Sequence, residues 1–154
     1  MQLDFRKMHN KRDFLLYSVF AEKQMDSHDL VTADELKELI SNEEGSVWSI
    51  FIEGKQKPVG WCSVIFEGPL THDANSAHIL GIIVIDKYQG KGIGRLIIQW
   101  ILQAINCSHF TVAIQPSNII SQKFFALSGF VNQGSIENTV WDLWELSTNK
   151  IMLE

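Results

Sequence analysis

The stretch Ala77-His78-Ile79-Leu80-Gly81-Ile82-Ile83-Val84-Ile85 limits the fold most. It is almost unbroken apolar sequence rich in β-branched residues, which predicts a central strand buried on both faces. Such a strand needs packed layers above and below it. Gly90, Gly92 and Gly94 follow closely, and Ile93 to Ala104 returns to helical spacing, with Leu96, Ile97, Trp100, Ile101 and Ala104 on one side. A glycine-rich turn between a buried strand and a helix can aim several backbone N–H groups at one anion, with the positive helix end behind them. Lys91 and Arg95 add charge beside it. The arrangement predicts a phosphate or pyrophosphate ligand.

The flanking sequence supplies the rest of a layered fold. Leu3 to Met8 can form an edge strand, and Asp13 to Phe20 reads as a buried helix. Thr32 with Glu35 predicts a capping box opening a second helix, whose apolar stripe is Leu36, Leu39 and Ile40. Val47–Ile52 and Val59–Phe66, joined through Gly54 to Pro58, predict a hairpin. Glu67 to Ser76 reads as a loop. Phe110 to Ile114 is a further strand. Ser117 or Asn118 can cap a helix that ends near Ser128-Gly129, where glycine suits the left-handed position after a helix. Phe130-Val131 and Thr139 to Leu146 close with two strands, the last alternating as a half-exposed strand does. The order β-α-α-β-β-β-α-β-α-β-β implies a mixed sheet in an α/β domain, read as one domain over residues 1–154.

Composition narrows the function classes. An apolar fraction of 45% and a charged fraction of 20% in 154 residues suit a globular domain with a sizeable core. No apolar run has the length of a membrane helix, and the first residues lack the apolar centre of a signal peptide. Cys62 and Cys107 show no zinc spacing and are too few for a disulfide scaffold, which predicts buried thiols in a cytoplasmic protein. The net charge of −5 argues against nucleic acid as the main ligand and suits a cationic acceptor. His72, His78 and His109 have no ligand spacing, so no metal is expected.

Three glycine-loop patterns compete for residues 89–95. A P-loop fails because Gly90-Lys91 is followed by Gly92 and no correctly placed hydroxyl. A dinucleotide fingerprint fails on the spacing of Gly90, Gly92 and Gly94. The third pattern, Gln/Arg-x-x-Gly-x-Gly/Ala, is met by Gln89, Gly92 and Gly94. It resembles the acyl-CoA pyrophosphate loop of the GNAT superfamily. The segment Gln115 to Phe130 resembles that family's second signature, in which an asparagine opens a helix that ends in Gly-Phe; Asn118 and Gly129-Phe130 match. The element order is similar to the GNAT order over about residues 1–146, although residues 77–130 carry the specific motifs.

The resemblance implies a mostly antiparallel, splayed sheet flanked by helices, with acetyl-CoA as co-substrate in the splay. It implies that backbone groups of Ile82, Ile83 and Val84 hold the pantetheine arm and that Gln89, Gly90, Lys91, Gly92, Ile93, Gly94 and Arg95 hold the pyrophosphate. Asn118 would contact the pantetheine, a role compatible with a helix cap. The implied reaction is transfer of an acetyl group to a primary amine, of a small molecule or a peptide, by direct attack on the thioester. Some relatives carry a glutamate base where this chain has His78, which as a neutral imidazole can accept a proton; it can equally be a strand-start histidine bonded to solvent or backbone. Glu67, His72 and Asp73 are loop residues that can reach an acceptor. An acid that other relatives place on the next strand is Ala113 here, and the tyrosine that protonates the leaving thiolate is Phe125, placed to pack on the pantetheine or acyl end. These departures leave open a non-catalytic acyl-CoA sensor of the same fold. Neither a nucleic acid nor a membrane partner is expected, and a homodimer remains open.

Overall fold

The computed structural model describes residues 1–23, 31–66 and 75–148; Glu67, His72 and Asp73 lie outside the described residues. The elements are β1 (Leu3–Lys7), α1 (Lys11–Glu22), α2 (Ala33–Ser41), β2 (Gly45–Ile52), β3 (Gly60–Ile65), β4 (Ser76–Val84), a 3₁₀ turn (Asp86–Tyr88), α3 (Ile93–Ala104), β5 (His109–Ile114), α4 (Ile119–Leu127), β6 (Val131–Ser135) and β7 (Asp142–Ser147). They form a seven-stranded sheet in the order β1-β2-β3-β4-β5-β7-β6. β4 and β5 run parallel, and the other pairings among the described residues are antiparallel. This is the mixed, mostly antiparallel sheet that the sequence predicts.

Local chemistry explains the boundaries. α1 starts at Lys11, earlier than expected, because Asn10 caps it: its Oδ1 accepts from the Asp13 N–H at 3.0 Å. At α2, Thr32 Oγ1 accepts from the Glu35 N–H at 3.1 Å, as expected. The Glu35 carboxylate accepts from the Thr32 hydroxyl instead of reaching the Thr32 N–H, so the capping box is only half made. The last strand starts at Asp142, not Thr139. Asn138, at φ +63°, turns the chain, and the Trp141 N–H donates to the Thr139 hydroxyl at 3.1 Å.

Two apolar cores lie on opposite faces of the sheet. One packs α3 and α4 against it through Ile93, Ile97, Ile98, Ile101, Phe125 and Phe130. In α3 the buried side is centred on these isoleucines; Leu96 and Trp100 are half-buried and Ala104 is exposed, a rotation from the predicted stripe. The other core packs α1 and α2 through Tyr17, Leu36 and Leu39 against Val47 and Trp61. Fully burying one such side chain is worth about 1.5–3 kcal/mol. Cys62 and Cys107 are buried free thiols, as expected.

β4 departs from its prediction in one respect. Ser76 to Ile79 are buried, but Leu80 to Val84 are only half-buried. Parallel pairing with β5 covers only Ser76 to Ile79. Beyond that point the two strands lack pairing and a gap opens between them. The register to β3 also shifts there, with Ser63 opposite Gly81 but Val64 opposite Ile79, so Leu80 is the extra residue of a bulge. The bulge sets the following side chains: Ile82 and Val84 join the α3/α4 core, whereas Leu80, Ile83 and Ile85 join the α1/α2 core.

Candidate active site in the β4–β5 gap

The unpaired half of β4 offers main-chain hydrogen bonds to a ligand. Ile85 donates to the Val59 carbonyl at 2.9 Å, and the Ile83 carbonyl lies against Gly60 of β3. Antiparallel alternation then turns the backbone groups of Ile82 and Val84 away from β3, toward the gap. Ile83, expected to share this role, spends its main-chain groups on β3. One gap-facing group is already engaged: Gln89 Nε2 donates to the Val84 carbonyl at 2.9 Å and to Asp86 Oδ1 at 3.2 Å. Gln89 therefore braces the loop against the strand end, which leaves Ile82 as the residue with both main-chain groups free to bind an extended arm.

The gap leads to the glycine loop. Gly90 and Gly92 adopt φ of +76° and +82°, the left-handed region that favours glycine, and a Cβ at either would meet open space. Gly92 is the N-cap of α3, where no side chain accepts from the first-turn N–H groups. Those N–H groups have no acceptor within the helix and carry its positive end. Ile93 is buried and Gly94 lies against Phe124, so both serve the site through their backbones. Lys91 and Arg95 are exposed beside the loop, and Lys87 and Lys91 flank the Tyr88 ring at 5.1 and 5.8 Å. The loop thus fits a pyrophosphate.

On the opposite side of the gap, Asn118 caps α4, its Oδ1 accepting from the Ser121 N–H at 3.1 Å. The amide NH₂ of Asn118 is the part left to a ligand. Phe125 is 6% exposed, with edge-on contacts to Phe124 at 5.0 Å and Phe130 at 5.2 Å. It belongs to the α3/α4 core.

His78 is on the other sheet face. It is 4% exposed, and its Nδ1 is 2.8 Å from Thr111 Oγ1 on β5. Burial pushes its pKa down to about 4. A neutral, low-pKa imidazole is a weak acceptor for a proton from an alkylammonium. Because the folded pKa lies below the unfolded value, the folded protein resists protonation. Stability is full above pH ~6.5 and falls as pH drops toward 4, by about 3 kcal/mol in total. Urea titrations between pH 7 and 4 should show this loss, and His78→Gln should remove most of it. An equal acid dependence in the variant would assign the loss to other groups.

One residue here is absent from the sequence-based expectations. Gly81, inside an apolar strand, marks the bulge, and an isolated strand glycine is its signal. Trp61 faces the α1/α2 core beside Gly81; nothing in its sequence setting separates it from a core tryptophan.

The sequence profile of the acetyltransferase (GNAT) family matches residues 10–130. The chain belongs to this family. No curated protein matches it by sequence. Among solved structures, an acetyltransferase from Thermus thermophilus superposes with a TM-score of 0.77 at 16% identity, covering 96% of this chain and 97% of that one. The ribosomal-protein-S5-alanine acetyltransferase of Vibrio fischeri gives 0.67 at 21% identity, with 97% and 94% covered. A spermidine/spermine N-acetyltransferase of Vibrio cholerae gives 0.67 at 16%, with 94% and 91% covered. At these identities the likeness is one of GNAT fold. Among the described residues no cluster of His, Cys, Asp or Glu could hold a metal ion.

Proposed function

We propose that this GNAT protein transfers the acetyl group of acetyl-CoA to a primary amine by direct attack. The observation that carries the reading is the unpaired half of β4, open to the gap and continuous with the glycine loop at the α3 N-terminus. The pantetheine would lie along Ile82, and the pyrophosphate on the N–H groups of the Gly90–Arg95 segment between Lys91 and Arg95.

The amine nitrogen attacks the thioester carbon, the C–S bond breaks, and the amine proton passes to solvent. An ordinary alkylammonium at pH 7 first loses a proton at a cost of about 4–5 kcal/mol. The departing thiolate has an intrinsic pKa of ~8.5 and can leave without a strong acid. This tolerates Phe125 in place of a tyrosine. Calorimetry should therefore detect acetyl-CoA binding, and bound acetyl-CoA should raise Tm by mass action. An amine panel with free-thiol readout should show turnover. No binding of acetyl-CoA or CoA ends the reading, while binding without turnover of any amine favours an acyl-CoA sensor.

A further inference from the structure

The sequence predicts a buried helix over Asp13 to Phe20, because its apolar residues fall on most sides of the helix. The fold leaves one side of α1 in solvent. Tyr17 is buried, and Phe14, Phe20 and Ala21 pack with it in the α1/α2 core. On the outer side Leu15 is 63% and Val19 46% exposed. A lone exposed leucine needs no explanation. Here two large apolar side chains stand one turn apart on a helix that is apolar nearly all round, and such a helix is normally covered all round.

Charge bounds this apolar row. Lys11, Leu15, Ser18 and Glu22 follow at spacings of four, three and four, so they share one face of α1, with Val19 beside them. Lys11 and Glu22 are exposed at its two ends. The face therefore reads cation, apolar centre, anion along a helix about 18 Å long. At the Lys11 end a groove of about 680 Å³ runs between α1 and α2. Lys11, Phe14, Leu15 and Ser18 line it from α1, and Lys37 and Ile40 from α2, with no carboxylate among the described residues of its wall. Lys37 Nζ lies 5.6 Å from the centre of the Phe14 ring. The groove is thus apolar and cationic in a chain whose net charge is −5.

We infer that a second copy of this chain covers this face, the two α1 helices lying antiparallel about a two-fold axis. In such an interface each contact occurs twice, once in each direction. An axis between Leu15 and Ser18 sets Lys11 of each copy against Glu22 of the other, beside the groove. It sets Leu15 of each copy against Ser18 and Val19 of the other. Both charged ends are then paired, and the apolar centre is closed. A parallel arrangement would place Lys11 on Lys11 and Glu22 on Glu22, which repel. An acidic partner of another kind would suit Lys11 and Lys37 but leave Glu22 facing like charge. The pairing is independent of whether acetyl-CoA binds.

Sedimentation equilibrium of the full chain, without CoA, tests it. One helix face and its groove make a small interface, so a Kd of about micromolar to tens of micromolar is expected. Glu22→Lys opposes lysine to lysine at both symmetry-related contacts and should raise Kd at least about tenfold. Adding Lys11→Glu to Glu22→Lys exchanges the two ends and should return Kd to within about threefold of native, because the two residues form one coupled pair. Leu15→Glu should leave a folded monomer, since Leu15 packs little within its own chain. A native protein that stays monomeric up to about 0.5 mM, well above the expected Kd, overturns the proposal. So does a dimer that Leu15→Glu leaves intact, because it uses another surface. Glu22→Lys protein that dimerises as the native does, or a double variant as weak as Glu22→Lys, overturns it too. Should Leu15→Glu fail to fold, the charge exchange decides alone, as both of its positions are exposed.

Discussion

Gly92→Val is expected to abolish measurable acetyl-CoA binding while the protein still folds. Gly92 sits at φ +82° as the N-cap of α3, and a Cβ there meets no protein atom within 4 Å. Crowding is therefore not the obstacle. A β-branched residue at positive φ is a steric outlier, with a local cost of about 1–3 kcal/mol. The chain can bear that strain, or it can move the loop and redirect the N–H groups that follow. In either case the isopropyl group projects into the space proposed for the pyrophosphate. Hydrogen bonds to a charged group are worth about 1.5–3 kcal/mol each, so losing two of them lowers affinity by at least about a hundredfold. Calorimetry of native and variant protein, with Tm measured alongside, separates lost binding from lost folding. A folded Gly92→Val protein with native affinity would place the pyrophosphate elsewhere.

The contrast between Gly92 and Phe125 shows how far the site was legible in the sequence. The loop was readable because its chemistry is local: strand, positive-φ glycines and helix start are contiguous, and Gln89, Lys91 and Arg95 lie in the same stretch. Secondary-structure order was readable for the same reason, from the apolar period and from caps such as Asn118 and Thr32. The faces of the sheet were not. The register shift at Leu80 exchanges the two faces along β4, and register is a property of a strand pair. His78 and Ile83 were both assigned toward the reaction gap from their place on the strand. In the structure His78 is buried against Thr111 of β5, and Ile83 turns its backbone to Gly60.

Phe125 is where stability and mechanism separate experimentally. Its ring is 6% exposed and has edge-on contacts with Phe124 and Phe130. Truncation to alanine removes a buried ring from a packed core, which costs about 3–5 kcal/mol. At ~2–4 °C per kcal/mol for a chain of this size, Phe125→Ala should lower Tm by about 6–20 °C. Its acetyl-CoA affinity, measured at a temperature where it is folded, should stay near native. Phe125→Tyr tests the other possibility. Enclosed by the core, a new hydroxyl has no acceptor and should cost about 1–3 kcal/mol without raising kcat. If the ring edge instead reaches the gap, the hydroxyl meets the leaving sulfur, Tm is unchanged and kcat rises, by up to the ~10²–10⁴-fold of a placed general acid. The measured pair of Tm and kcat distinguishes the cases. The packing contacts favour the first, with the thiolate leaving unaided because its intrinsic pKa of ~8.5 permits it.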